Sequence, residues 1–437
     1  QTGTGSITLT TTAVSATSYG IYCTSTGTIN LSNNIIGSVT TVGTATIAHN
    51  FTGIIKSGTG SFTANANTIG STVTPQSIHA SSVVTATSVQ SVIGISNAGA
   101  GSIAITGNTI ANLFNAFARS TTSGQVVGIT STAGVNTING NTVMELSTES
   151  GSTGTSNAAA SVIGISLSST LAGQTIAGNT IQGLSNTNAT SRAVQVYGIY
   201  YANGTTAGTR TVSENFIREL NINPLNTSTT AAISGLRLVH VATGTNNVST
   251  TFYNNIITLG TGVSNGCIIH GIYETGYTSG TSANQNQFYF NSVYIGGTTS
   301  GTTLTYAFFN NAIGGSTTRI IRDNIFFNGR SSGSGSNYHF AIRLASATGV
   351  TINQNDYFAN GTGGSLGRLN ATAYTTLASW QTALSAISGD ANSLYADPVF
   401  TTPGGSLASD YKINAILLGS AVPGITTDFG GEIRSVP

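Results

Sequence analysis

The skeleton apolar, two residues, Asn, one residue, apolar is met at Ile105, Thr106, Gly107, Asn108, Thr109 and Ile110, and it recurs along the chain. Anchored on the asparagine, ten copies fall at Asn34, Asn67, Asn108, Asn141, Asn179, Asn215, Asn255, Asn291, Asn324 and Asn355, spaced by 33, 41, 33, 38, 36, 40, 36, 33 and 31 residues. A period in this range with ragged loops marks a solenoid, a propeller or an array. Short apolar runs around glycine, such as Ile93, Gly94, Ile95 or His270, Gly271, Ile272, precede the Asn unit by 13 to 20 residues. Both signals are brief, β-branched and bounded by Gly, Asn and Ser, so each predicts a strand.

The apolar positions flanking the asparagine, Ile105 and Ile110 or Ile138 and Val143, are five apart. In a straight strand they would face opposite sides, so the chain must bend or bulge at the Asn to turn both inward. Asparagine suits such a corner because it tolerates left-handed backbone and its amide both donates and accepts. Stacked turn on turn, the ten amides predict a buried ladder; the alternative is ten surface turn residues.

Coils of this kind build a parallel β-helix over residues 15–360, about ten rungs and roughly 45–50 Å long. A propeller would need four strands and tight hairpins in every repeat, and hairpin signals are weak. Residues 1–14, with alternation at Ser6, Ile7, Thr8, Leu9 and Thr10, predict a partial rung or N-terminal cover. Past Asn355 the pattern stops. Thr375 to Leu384 predicts a short amphipathic helix, and residues 361–437 a cap over the open end.

Composition sharpens this picture. Charged residues are 6% against roughly 25% in an ordinary domain, so Ser, Thr, Asn and Gly must meet water. A net charge of +1 with 13 Lys and Arg leaves no basic footprint for nucleic acid. No apolar run approaches a bilayer span. No signal peptide is present, which suggests a mature product or an internal piece of a longer chain. Cys23 and Cys267 lie seven rungs apart in the repeat, beyond disulfide reach, and are expected as packed thiols. Of sixteen Tyr, sixteen Phe and one Trp, only six precede residue 190, which suggests a better-filled core in the later rungs.

The runs Asn324 to Arg330, Ala378 to Ala383, Asp390 to Ser393 and Ala396 to Phe400, with the ending Thr427 to Arg434, resemble secreted right-handed parallel β-helix proteins. These are large surface proteins of Bacteroidetes-type bacteria, often with a C-terminal sorting domain for type IX secretion. The resemblance covers most of the chain and implies a right-handed β-helix outside the cell, but it assigns no activity. Such proteins usually continue into further modules, so this chain is expected to be a fragment or processed product.

Carbohydrate lyases share the fold, and fold does not assign function. A lyase needs a carboxylate cluster for calcium with an Arg or Lys base, and a glycosidase needs two nearby carboxyls. Glu214 and Asp323 share a repeat position three rungs apart, too far to pair. Glu145 and Glu219 share another, two rungs apart, and read as turn residues, with Arg218 neutralising Glu214 or Glu219. Arg322 beside Asp323 reads as an ion pair. Asp390, Asp397, Asp410 and Asp428 have turn and capping duties in the cap, with calcium left open as a ligand. His49, His79, His240, His270 and His339 lack zinc spacing or an obvious triad, and no phosphate loop is present.

A binding surface fits better. Tyr253 and Tyr289 occupy one repeat position, with Tyr294 and Phe327 beyond the Asn, and could stack on sugars; the alternative is that they stack on each other. The leading expectation is a non-catalytic, extracellular structural or adhesive rod, such as an adhesin, stalk or filament component, capable of self-assembly or of meeting glycans and neighbouring surface proteins. The rivals are a polysaccharide lyase or glycoside hydrolase and a glycan-binding module.

Overall fold

One turn of the coil is written by residues 90–115. Four strands, Gln90–Asn97, Ser102–Thr106, Thr109–Ala111 and Leu113–Asn115, follow one another. Each pairs in parallel with its counterpart one turn on: Gly124–Ser131, Val135–Asn139, Thr142–Met144 and Ser147–Thr148. The chain is thus an all-β parallel solenoid, seen in a computed structural model. The structure describes residues 7–12, 16–44, 48–82, 89–117, 124–151, 160–240, 247–276, 284–311, 317–333, 335–415, 417 and 419–434. The chain divides into two compact units, Gln1–Ala202 with Leu220–Ser234, and Asn203–Glu219 with Gly235–Pro437.

Two or three strands per turn were expected, and this turn has four. A left-handed residue splits the Asn unit into two strands, and the last strand is too short to carry an alternating pattern. In the first unit the register stacks like on like, with Ile105, Ile138 and Ile176 in one column and Ile69, Ile110, Val143 and Ile181 in the facing one. All seven are fully buried, each worth about 1.5–3 kcal/mol of transfer free energy. Glycine is required where the strand crosses this core: a Cβ on Gly128 would lie 2.5 Å from Gly164 O and 2.5 Å from Val143 Cγ1. The N-terminal strand Ile7–Thr11 pairs with Val39–Gly43, as a partial rung would, while Ser6 and Val14 lie outside the described residues.

The second unit repeats the plan with larger side chains. Val212, Phe252, Phe288, Ile321 and Ile352 form one core column, and Ile217, Ile257, Val293, Phe326 and Tyr357 the facing one. Phe252 and Phe288 stack at 4.8 Å. The late aromatics therefore fill this core, as expected, but not only this core.

The solenoid runs past residue 360, because Gly364–Leu369 pairs in parallel with His339–Leu344. The helix Leu377–Ala383 follows, with Thr376 Oγ1 accepting from the Ser379 N–H at 3.2 Å. Its Trp380 is fully buried over Gly367 and donates from Nε1 to Asp390 Oδ2 at 2.7 Å. That much is the predicted cap. The rest is not: residues 395–415 and 419–434 turn back along the outside of the second unit as a strap. Tyr411 Oη donates to Thr258 Oγ1 at 2.5 Å, and Arg434 Nη2 to Asn254 Oδ1 at 2.8 Å. Of the apolar run Ile413 to Leu418, Ile416 and Leu418 lie outside the described residues.

Candidate functional site

The Asn ladder exists in both units. In the first, the Asn108 N–H and Nδ2 both donate to Asn141 Oδ1 at 2.9 Å, and Asn67 donates the same pair to Asn108 Oδ1. Asn34 joins Asn67 in the same way, and Asn141 joins Asn179. In the second unit the series runs Asn215, Asn255, Asn291, Asn324, Asn355. It closes where the Asn355 N–H donates to Ser393 Oγ at 2.9 Å. Except for Asn34, every ladder asparagine is buried.

The corner itself needs one correction. The left-handed residue is the one before each asparagine, among them Asn33, Ala66, Gly107, Gly140, Glu214, Asn254, Asp323 and Gln354, with φ of 52–65°. The asparagine's part is played by its amide, not by its backbone tolerance.

Of the candidate sugar-stacking tyrosines, Tyr289 is buried while Tyr253 and Tyr294 are half-buried. Tyr253 and Tyr289 do share a register. However, Tyr289 is 6% exposed, packed with Val422 and Ile425 of the strap and flanked by Tyr253 and Phe290. Tyr294 meets Phe327 edge-on at 5.0 Å and Tyr411 at 6.2 Å, beneath the same strap. The apolar outer face had to be covered, and the chain covers it with its own C-terminal segment. A cleft of about 1110 Å³ remains along this seam, lined by Asn254, Phe290, Asp323, Gln354, Val422 and Arg434 among others.

The carboxylates are mostly engaged by the chain itself. Glu145 and Glu219 are exposed corner residues with φ of 55° and 56°, belonging to different units. Arg218 pairs with Glu219. Arg322 sits 3.5 Å from Asp323, which also accepts from the Ser420 N–H at 2.9 Å; burial pushes the Asp323 carboxyl up. Asp390 accepts from Trp380, Tyr357 and Ser393. Asp397, Asp410 and Asp428 accept local backbone N–H groups, the turn duties expected of them. Among the described residues no group of three or more His, Cys, Asp or Glu is placed to hold a metal ion. Cys23 and Cys267 are free thiols, the latter pushed up to about 12 by burial.

The histidines differ from one another. His49 contacts Ser18 Oγ at 2.8 Å, His79 meets Phe114 edge-on, and His339 Nδ1 lies 2.9 Å from Thr305 Oγ1. His240 belongs to a cluster that sequence reading missed. Its Nε2 lies 2.7 Å from Glu274 Oε1; Arg319 Nε donates to both Glu274 oxygens at 2.8 Å, and Asn286 and Asn310 donate to them as well. Glu274 is wholly buried. Burial alone would push its carboxyl up, but Arg319 and His240 outweigh that and hold it well below the usual carboxylate range.

On the outward side of the glycine-centred sheet a second missed feature appears. Tyr273, Phe309, Arg343 and Arg368 are paired in succession, one per turn. Arg237 lies over Tyr273 at 4.7 Å, Tyr273 faces Phe309 at 4.8 Å, and Arg343 lies over Phe309 at 4.4 Å. Beside this column a deeper row of His270, Tyr306 and Phe340 stacks at 5.9 and 5.4 Å. Burial and the charges of Arg237 and Arg343 push His270 down to about 3, so it stands neutral. The register hides this strip in the sequence because Ala307 and Ala341 replace the marker glycine. Counting two residues on from Gly235, Gly271, Ala307 and Ala341 would have found it.

Among the described residues, no helix is long and apolar enough to cross a membrane. Comparison with protein-family models, with curated proteins and with solved structures returned no match.

Proposed function

We propose that the chain is a non-catalytic, extracellular structural or adhesive scaffold, of the kind that serves a bacterial cell-surface adhesin, stalk or filament. The observation that carries this reading is how the buried polar groups are used. The ladder amides bond to the next turn, Glu274 to Arg319 and His240, and Asp390 to Trp380, Tyr357 and Ser393. Groups so engaged hold the coil together. The likeness to secreted Bacteroidetes-type surface proteins supports the location, as does the scarcity of charge.

A carbohydrate-active enzyme is the second reading, and Asp356 favours it. Burial and the neighbouring Asp397 push its carboxyl up to about 7, a value suited to a general acid. Incubation with acidic and neutral polysaccharides separates the two. The scaffold reading expects no new reducing ends and no 4,5-unsaturated products, and release of either overturns it.

A further inference from the structure

We infer that the outward column Tyr273, Phe309, Arg343 and Arg368, with the buried Arg237 stacked on Tyr273 at its end, is a binding face for a linear acidic polysaccharide laid along the solenoid. The inference rests on the adhesive reading of the scaffold and names its partner.

Three observations carry it. The first is periodicity. Parallel register places one ring or guanidinium per turn in a single column, at the ~4.8 Å strand spacing. A straight column of repeating sites fits a regular linear polymer better than a compact ligand. The second is charge. Arg343 donates to Asn311 Oδ1 at 3.0 Å and Arg368 to Tyr306 Oη at 3.2 Å, both neutral partners. Among the described residues, neither has a carboxylate partner within ion-pair distance. Burial and the charge of Arg368 hold Arg343 below its ordinary value, a repulsion that a bound anion would relieve. In a chain with 13 Lys and Arg in all, two half-buried arginines one turn apart, with Arg237 buried beside Tyr273, concentrate the charge.

The third is surface chemistry. Tyr273, Phe309, Arg343 and Arg368 are half-buried, held flat by the row of His270, Tyr306 and Phe340 beneath them. Pre-stacked ring faces suit the C–H faces of sugars, and fixed guanidinium forks suit carboxylates. Nucleic acid would ask for many more phosphate contacts than two half-buried cations supply.

The test uses the full chain and three probes: polygalacturonate, its methyl-esterified form and duplex DNA, with binding read by calorimetry. We expect binding to polygalacturonate that weakens with salt, and at least about tenfold weaker binding to the esterified polymer and to DNA. Arg343→Gln with Arg368→Gln should lower affinity for polygalacturonate on the order of a hundredfold, while Arg192→Gln, an exposed cation of the first unit, leaves it unchanged. Because Arg343 also packs on Phe309, the parent protein supplies a second reading: polygalacturonate should protect Arg343 and Arg368 from phenylglyoxal. Parental affinity in a folded double variant, equal binding of the esterified polymer or DNA, or no protection of either arginine overturns the inference. Such a failure leaves the scaffold reading standing, since only product release tests that.

Discussion

Replacing Asn108 by alanine tests the ladder most directly. The side chain makes four buried bonds: Nδ2 donates to Asn141 Oδ1 and Ala64 O at 2.9 Å, and Oδ1 accepts the Asn67 N–H and Nδ2 at 2.9 Å. Asn108→Ala leaves the Asn67 N–H buried without that acceptor, at about 1–3 kcal/mol, and removes further bonds worth about 0.5–1.5 kcal/mol each. The expected loss is about 2–5 kcal/mol. Thr106→Ala, which loses one exposed bond to Asn65 Oδ1 at 3.0 Å, should cost less than about 1 kcal/mol. Asn108→Asp separates chemistry from volume. It keeps the size but sets a carboxylate against the acceptors Asn141 Oδ1 and Ala64 O. Its folded-state carboxyl should be raised above ~3.9, so stability should be recovered as pH falls and the acid regains a donor proton. Denaturant midpoints supply the stability, and hydrogen exchange at the Asn67 amide supplies the location, since a solenoid opens locally. A loss under about 1 kcal/mol for Asn108→Ala with Asn67 protection unchanged would refute the ladder as a load carrier.

Further outcomes follow from the second unit. Glu274→Gln leaves Arg319 buried without its counter-charge and should cost about 3–5 kcal/mol by denaturant unfolding. In the parent, Glu274's folded carboxyl is depressed, so its contribution is present above about pH 4.3 and is lost as pH falls through the lower folded value. Asp356 has the opposite sign. With its carboxyl raised to about 7, its contribution is present below the unfolded value and lost as pH rises through 7, so Asp356→Asn should raise the thermal midpoint at pH 8 and change it little at pH 3. Trp380→Ala should cost about 3–5 kcal/mol and speed exchange first at Gly364–Leu369, the strand it covers.

Much of the fold was legible in the chain because solenoid contacts repeat. A residue meets its counterpart one turn away, so the period of the Asn unit marks the strands, and the five-residue gap between Ile105 and Ile110 demands a bend between them. The candidate site was less legible, because outward positions carry no such constraint. The column of Tyr273, Phe309, Arg343 and Arg368 emerges only once register is set through Ala307 and Ala341, which lack the marker glycine.

By itself, then, the sequence determined the parallel β-solenoid and the helix around Trp380, and it marked the ten asparagines as either a buried amide ladder or surface turns, all products of short-range pattern or one-turn stacking. Only the tertiary structure decided that the residue before each asparagine turns the corner, that Glu274 gathers His240 and Arg319, and that the strap covers Tyr289 and Tyr294. The reason is sequence distance. Tyr411 reaches Thr258 across 153 residues and Arg434 reaches Asn254 across 180, separations that no local periodicity encodes.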